Sequence, residues 1–510
     1  MRLPRPILLL WFLLSPLARA DVALAPLFTD HAVLQRDKPI PVWGSADAGE
    51  KITVIFAQQT RTATAGPDGR WTVSLDKLPA IAQGADLTVA GKNTVVVHDV
   101  VVGEVWLCSG QSNMEFTVSR ARDASKEIAA ANFPLIRHVK INHAVATDPA
   151  TTVATGGWQS ASPATVGGFT AVGYFFARDL FQKLNVPIGL VHSSWGGTPV
   201  ESWMPAPTLA REAAFKIVAE RWEKTLADYP QKKIEFDDAL AEWTPADAAA
   251  KAQGDTAHAA WLKEHPKPRA PRGRGDSWTP SGLFNGMIAP LTPYALRGTL
   301  WYQGESNADH AAEYRQLFVA MITAWRKQFG QGNTPFFWVN LANYKAPSDS
   351  TGQTYAFLRE AQTQALDLIN TGQAITIDLG DPNDIHPTNK QDVGRRLALL
   401  AKHHVYGVTV DDTGPMFASV RLASGALVAT FGHATGGLIA HDHPVACVEI
   451  AGEDKVFHPA AVAVSKSVMI ATSPEVKAPV AMRYAWRNAP DANLYNGAGL
   501  PAVPFRTDNW

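Results

Sequence analysis

Hydrophobic and polar positions change their spacing twice along the chain. From Leu27 to Val102, short β-branched and aromatic runs alternate with turn residues: Pro41-Val42-Trp43-Gly44, Lys51 to Phe56, the turn Gly66-Pro67-Asp68-Gly69, Trp71 to Leu75, Leu87 to Val89 and Thr94 to Val97. Short strands at this spacing predict a small β-sandwich-like module over residues 21–100. From Val101 to about Tyr406, apolar strands alternate with helical stretches. Residues 103–108, 187–192, 296–302 and 335–341 read as buried strands, and 172–183 and 311–329 as helices. That alternation predicts an α/β domain over 101–406, a parallel sheet covered by helices on both faces, with any site at the carboxyl ends of its strands. Over 407–510 short strands and turns return, and a second β-rich module is expected there.

Within the α/β region, residues 205–280 shift towards Ala, Glu, Lys and Trp. Helical stretches are expected near 209–228, 234–243 and 246–264, followed by the breaker-rich run Pro266-Lys267-Pro268-Arg269-Ala270-Pro271-Arg272-Gly273-Arg274-Gly275. This reads as a helical insertion that either borders the cleft or elaborates the surface.

Composition narrows the class of partner. Lys+Arg at 46 almost cancels Asp+Glu at 47, so no global field draws nucleic acid or an anionic membrane, and a neutral substrate is expected. The first residues carry a basic start, Met1-Arg2-Leu3-Pro4-Arg5, an apolar run from Ile7 to Leu14, and Ala18-Arg19-Ala20 before Asp21. That pattern predicts a secretory leader over 1–20, a secreted or periplasmic location, and no membrane span once the leader is removed. Of two cysteines, Cys108 lies in an apolar strand-like run and reads as a buried thiol rather than half of a bridge with Cys447.

Four segments carry reactive residue types, three of them at the ends of expected strands and the fourth an acid-rich loop. In Gly110-Gln111-Ser112-Asn113-Met114-Glu115, a serine at a strand-to-helix turn is placed as an acyl-transfer nucleophile, although Ser112 with Glu115 three residues on also makes a capping box. In Ser193-Ser194-Trp195-Gly196-Gly197-Thr198, paired glycines let a backbone N–H approach a reacting oxygen, or serve a turn that needs positive φ. In Trp301-Tyr302-Gln303-Gly304-Glu305-Ser306, the Gln303 amide either donates to an oxyanion or ties down a loop. In Asp378-Leu379-Gly380-Asp381-Pro382-Asn383-Asp384-Ile385-His386-Pro387, a histidine in an acid-rich loop suits general-base activation of a serine.

Taken in order, Gly110-Gln111-Ser112-Asn113, Gly196-Gly197-Thr198, Trp301-Tyr302-Gln303-Gly304-Glu305-Ser306 and Asp384-Ile385-His386-Pro387 resemble the blocks of the sialate O-acetylesterase family of SGNH-like hydrolases. The resemblance implies a flavodoxin-like α/β/α hydrolase domain, no cofactor and no metal. It implies Ser112 as nucleophile, His386 as base, and an oxyanion hole from Ser112, Gly196 or Gly197, and Gln303. Gln111, Asn113, Trp195 and Glu305 are the implied substrate-binding residues. The wider superfamily places its acid three residues before the histidine, where this chain has Asn383. Asp384 is therefore the first expectation for the acid, Asp381 the second, and a Ser-His dyad steadied by a backbone carbonyl the third. The implied substrate is an O-acetylated sugar, on a plant cell-wall glycan or on sialic acid. A different class, a non-catalytic carbohydrate-binding protein on a degenerate hydrolase, stays open. Trp203 and Trp301, near the site in sequence, are candidates beside Trp195 for sugar stacking.

Overall fold

The computed structural model describes residues 21–510, so the expected leader at 1–20 lies outside the described residues. One strand, Thr94–Gly110, organises the N-terminal four-fifths of the chain. Its first residues alternate between exposed and buried, and then eleven in succession are buried. Alternation suits a sheet with one wet face, and a continuous apolar run suits a sheet covered on both. The pairing follows the pattern. The first half pairs antiparallel with Ile81–Ala90, and Val33–Gln35 runs parallel to Val101–Gly103. The second half lies between two parallel neighbours, Ile188–Ser194 and Gly298–Tyr302. The passage from β-rich to α/β structure thus occurs inside a strand, and both regions share one core.

The α/β sheet runs in the order Gln159–Ala161, Phe133–Lys140, Ile188–Ser194, Thr94–Gly110, Gly298–Tyr302, Phe336–Val339, Thr371–Ala374. All neighbours are parallel except the first edge pair. From the central strand the chain goes to one side first and then crosses to the other, which makes the carboxyl end of Thr94–Gly110 a topological switch point. Alternate side chains face opposite helical layers. Phe336 and Trp338 pack on Phe318 of the helix Ala311–Phe329, whereas Phe337 meets Trp106 and His404 of the helix Lys390–His404. Trp106 also packs edge-on against Phe176 of the helix Ala171–Leu184.

The insertion departs from the expected three stretches. A single helix, Lys216–Lys251, contains both Pro230 and Pro245 and is followed by Asp255–Glu264. Only Val218 and Ala250 of the long helix are buried, and ion pairs four residues apart such as Lys216–Glu220 and Lys232–Asp228 line its surface. With no apolar stripe to mark its limits, the helix ends have no signature in the hydrophobic pattern. Beyond residue 407, two four-stranded antiparallel sheets surround a separate core that includes Phe431, Ile450, Met469, Met482 and Phe505. Buried Arg359 joins this region to the α/β sheet by donating to the carbonyls of Leu341, Ala342, Arg487 and Asn488. Cys108 is buried, and both cysteines are free. Among the described residues no helix is long and apolar enough to cross a membrane.

Candidate active site

Ser112 opens a short helix, Ser112–Glu115, immediately past the central strand. The turn between them requires glycine at 110: φ is +133°, and a Cβ there would lie 2.2 Å from the Tyr302 carbonyl oxygen. Gln111 is the N-cap residue, and no side chain caps the helix. The capping-box alternative therefore fails. The Ser112 hydroxyl lies 2.8 Å from His386 Nε2, and Glu115 turns away to accept from the Gly196 N–H at 2.9 Å and to pair with His143 at 2.9 Å.

His386 arrives on the loop that leads into the helix Lys390–His404. Burial, and then the charge of Lys390, hold its imidazole below the ordinary histidine range, with Asp384 opposing. Asp384 is not hydrogen-bonded to the ring. Its Oδ1 is 3.8 Å from His386 Nδ1 and instead accepts the His386 backbone N–H at 2.8 Å, and its side chain is 58% exposed. Asp381 accepts from the Asn383 N–H and so stabilises its own turn. Neither carboxylate is hydrogen-bonded to the imidazole, and among the described residues no backbone carbonyl accepts from His386 Nδ1; Asp384 stands at ion-pair distance.

The expected oxyanion donors divide. Gly196 runs against the serine, since a Cβ on it would sit 3.3 Å from Ser112 Cβ, but its N–H is taken by Glu115. Gly197, at φ +71°, has no hydrogen bond from its N–H among the described residues. The Gln303 amide N–H groups are engaged away from Ser112. The side chain is fully buried, and its amide donates to the Thr198 carbonyl at 3.1 Å and to Asn307 Oδ1 at 2.7 Å, which fixes the glycine loop to its neighbour. The loop-tying alternative is the one the side chain adopts.

Three of the four expected substrate-binding residues face inward. Gln111 is buried, and its Oε1 lies 3.4 Å from the Ser306 N–H. Asn113 is buried with its carboxamide fully engaged, and Glu305 accepts from it at 2.6 Å. These positions follow strand ends as Ser112 does, but the packing of three loops turns them into the protein. Trp195 remains half-buried at the site, its ring stacked on His143 at 4.1 Å. Trp203 and Trp301 are core, edge-on to one another.

Several residues were not foreseen. Buried Lys390 donates to Asn113 Oδ1, and a spacing of four from His386 is the only trace of this in the sequence. Behind the glycine loop, His192 Nε2 lies 2.6 Å from Ser194 Oγ, and His192 Nδ1 lies 3.2 Å from His138 Nε2. The segment returning from the helical insertion reaches the site: Trp278 Nε1 donates to the Gly197 carbonyl at 2.6 Å, and Arg272 covers the indole face.

Comparisons with known proteins bear on the family of the chain. The family described as carbohydrate esterase, sialic acid-specific acetylesterase, matches residues 102–235 and 250–402. The sialate O-acetylesterase of Rattus norvegicus is 31% identical over 455 residues, covering 79% of this chain and 78% of that protein. The human sialate O-acetylesterase is 28% identical, covering 94% of this chain and 91% of its own. The crystal structure of a carbohydrate acetylesterase from Xanthomonas citri superposes with a TM-score of 0.80 at 38% identity, covering 96% of this chain and all of that one. On the strength of these matches, the chain belongs to the sialic acid-specific acetylesterase family of carbohydrate esterases.

Proposed function

We propose that this carbohydrate O-acetylesterase works through an acetyl-enzyme on Ser112. The observation that carries the reading is the 2.8 Å contact between Ser112 Oγ and His386 Nε2 at the switch point of the sheet. His386, kept neutral by burial and by Lys390, takes the serine proton as Oγ attacks the acetyl carbonyl. The carbonyl oxygen becomes an oxyanion that the backbone N–H groups of Ser112 and Gly197 receive. Collapse expels the sugar alkoxide, which takes the proton from His386. Water, deprotonated by the same imidazole, then attacks the acetyl-serine and releases acetate. Asp384 contributes an exposed negative charge near the imidazolium rather than a hydrogen bond.

The α/β domain serves as an SGNH-type, flavodoxin-like hydrolase scaffold in this reading, and the leader at 1–20 exports the protein to the periplasm or beyond. The substrate is an O-acetylated plant cell-wall glycan, xyloglucan or xylan, or sialic acid. The name of the rat relative speaks for sialate, and that of the Xanthomonas protein for carbohydrate acetyl groups more broadly. Acetate release by wild type and Ser112→Ala is the test, on acetylated xyloglucan, acetylated xylan and 9-O-acetyl sialic acid in parallel. Release from one substrate that vanishes in the variant is expected. Failure on all three, with no fluorophosphonate labelling of Ser112, would favour a binding protein instead.

A further inference from the structure

One side chain connects the serine turn to the histidine loop. Asn113, next to Ser112, donates from Nδ2 to the carbonyl of Ile385, next to His386, at 3.0 Å. The same Nδ2 donates to Glu305 Oε1 at 2.6 Å, and Asn113 Oδ1 accepts from Lys390 Nζ at 2.5 Å. We infer that Asn113, held between the Lys390 ammonium and the Glu305 carboxylate, is a positioning cluster that ties the two catalytic loops together and places a cation within electrostatic reach of the imidazole. The inference rests on Ser112 and His386 being the catalytic pair.

The chemistry of the cluster is matched at both ends. A carboxamide oxygen facing a cation and its N–H facing an anion make two charge-assisted hydrogen bonds, stronger and shorter than neutral ones. Both Asn113 and Lys390 are buried to within 1% of full enclosure, so water does not compete for these groups. Lys390 Nζ also lies over two aromatic faces, 4.8 Å from the centre of Phe116 and 5.2 Å from that of Tyr302, which favours the charged ammonium. Glu305 Oε2 is buried without a hydrogen-bond partner among the described residues; burial raises its carboxyl above the ordinary range, and the hydrogen bond from Asn113 and the nearby Lys390 ammonium oppose that shift. None of this is needed to hold a loop by packing alone. A buried cation and anion bracketing one amide, which bridges the flanks of nucleophile and base, fixes position and charge together.

The charged groups around the two titrating partners give the cluster a measurable signature. His386 faces Lys390 and Arg120, which disfavour the imidazolium, and Asp384, which favours it. Lys390 faces Glu305 and Asp384, which favour the ammonium, and Arg120, which opposes it. Burial draws Lys390 down to about 7. Lys390→Met keeps most of the side chain and removes the cation, so the imidazole of His386 gains proton affinity. The acid limb of kcat/KM then moves to higher pH, by roughly half a unit to one unit. Asn113→Ala cuts the tether to Ile385 without touching substrate, so kcat falls ~10- to 100-fold while KM changes by less than about threefold.

The experiment measures kcat and KM from pH 4.5 to 8 on an acetyl ester, for wild type, Lys390→Met, Asn113→Ala and Ser112→Ala, with thermal melts of each. The upward shift of the acid limb in Lys390→Met and the kcat-specific loss in Asn113→Ala support the inference. A folded Lys390→Met with an unmoved acid limb, or a folded Asn113→Ala with wild-type kcat, overturns it while Ser112→Ala remains inactive. If Lys390→Met does not fold, the kcat and KM of Asn113→Ala decide alone. Activity retained in Ser112→Ala would instead overturn the catalytic reading beneath it.

Discussion

Acidification should destabilise the protein through two histidines behind the glycine loop. His138 and His192 are 4% and 1% exposed, and neither has a carboxylate partner among the described residues. Burial, with Lys140 adding to it, holds His138 down to about 3. Burial, helped by the charges of His138, Lys140 and His143, holds His192 well below the ordinary value. In the unfolded chain both rings take protons near ~6.5. Between that pH and about 3 the unfolded state binds more protons than the folded one, so stability is intact above ~6.5 and falls as pH drops. For His138 alone the slope approaches about 1.4 kcal/mol per pH unit once the unfolded ring is mostly protonated, which amounts to roughly 2 kcal/mol between pH 6.5 and 4.5. That is a large fraction of the ~5–15 kcal/mol typical of folded domains. His138→Gln keeps a hydrogen-bonding group facing His192 and does not titrate. Urea unfolding followed by tryptophan fluorescence, at intervals from pH 7 to 4.5, should show wild type losing about 2–3 kcal/mol more than the variant over that range. Parallel pH dependences for the two proteins would refute the buried-neutral assignment of His138.

Three further outcomes follow from the site. Asp384→Asn should lower kcat/KM by less than ~10-fold, because an exposed carboxylate without a hydrogen bond to Nδ1 contributes little, and a loss approaching that of His386→Ala would mean the acid engages in the reacting complex. Gln303→Ala should cost ~1–3 kcal/mol in a chemical-denaturation measurement, since it leaves the Thr198 carbonyl without its donor inside the core and Asn307 Oδ1 with the Val200 N–H alone; full stability with lost turnover would return Gln303 to the oxyanion hole. The acid limb of wild-type kcat/KM should fall below the ~6.5 of a free imidazole, because base catalysis needs neutral His386 and burial favours that form; a limb above this value would contradict it.

What could be read in the sequence depended on the scale of the feature. The change from alternating to continuous burial along Thr94–Gly110 is visible in its Val-rich run, and it locates the strand whose end carries Ser112. Strand ends place Ser112 and the glycine pair on one edge of the sheet, the family resemblance adds His386 from an acid-rich loop, and the structure brings Ser112 and His386 to hydrogen-bond distance. The direction of an amide is not written at that scale. Gln303, Asn113 and Gly196 all have the donors an oxyanion hole needs, but each is claimed by a partner from a distant segment: Thr198 and Asn307, Ile385 and Glu305, and Glu115. Asp384 stands ahead of Asp381 as the acid in sequence, but only local turn bonds decide where either carboxylate points. Lys390 reads as an ordinary polar residue at a helix start, and only tertiary enclosure turns it into part of the site.

The central claim is that acetyl transfer passes through Ser112. Rapid mixing of the protein with an excess of an activated acetyl ester, acid quenching within the first turnover, and peptide mass spectrometry would test it most directly. One acetyl group on the peptide containing Ser112, absent from Ser112→Ala and strongly reduced in His386→Ala, is the expected result. Full turnover with no acetylated intermediate in wild type, or acetyl found reproducibly on another residue, would contradict the account.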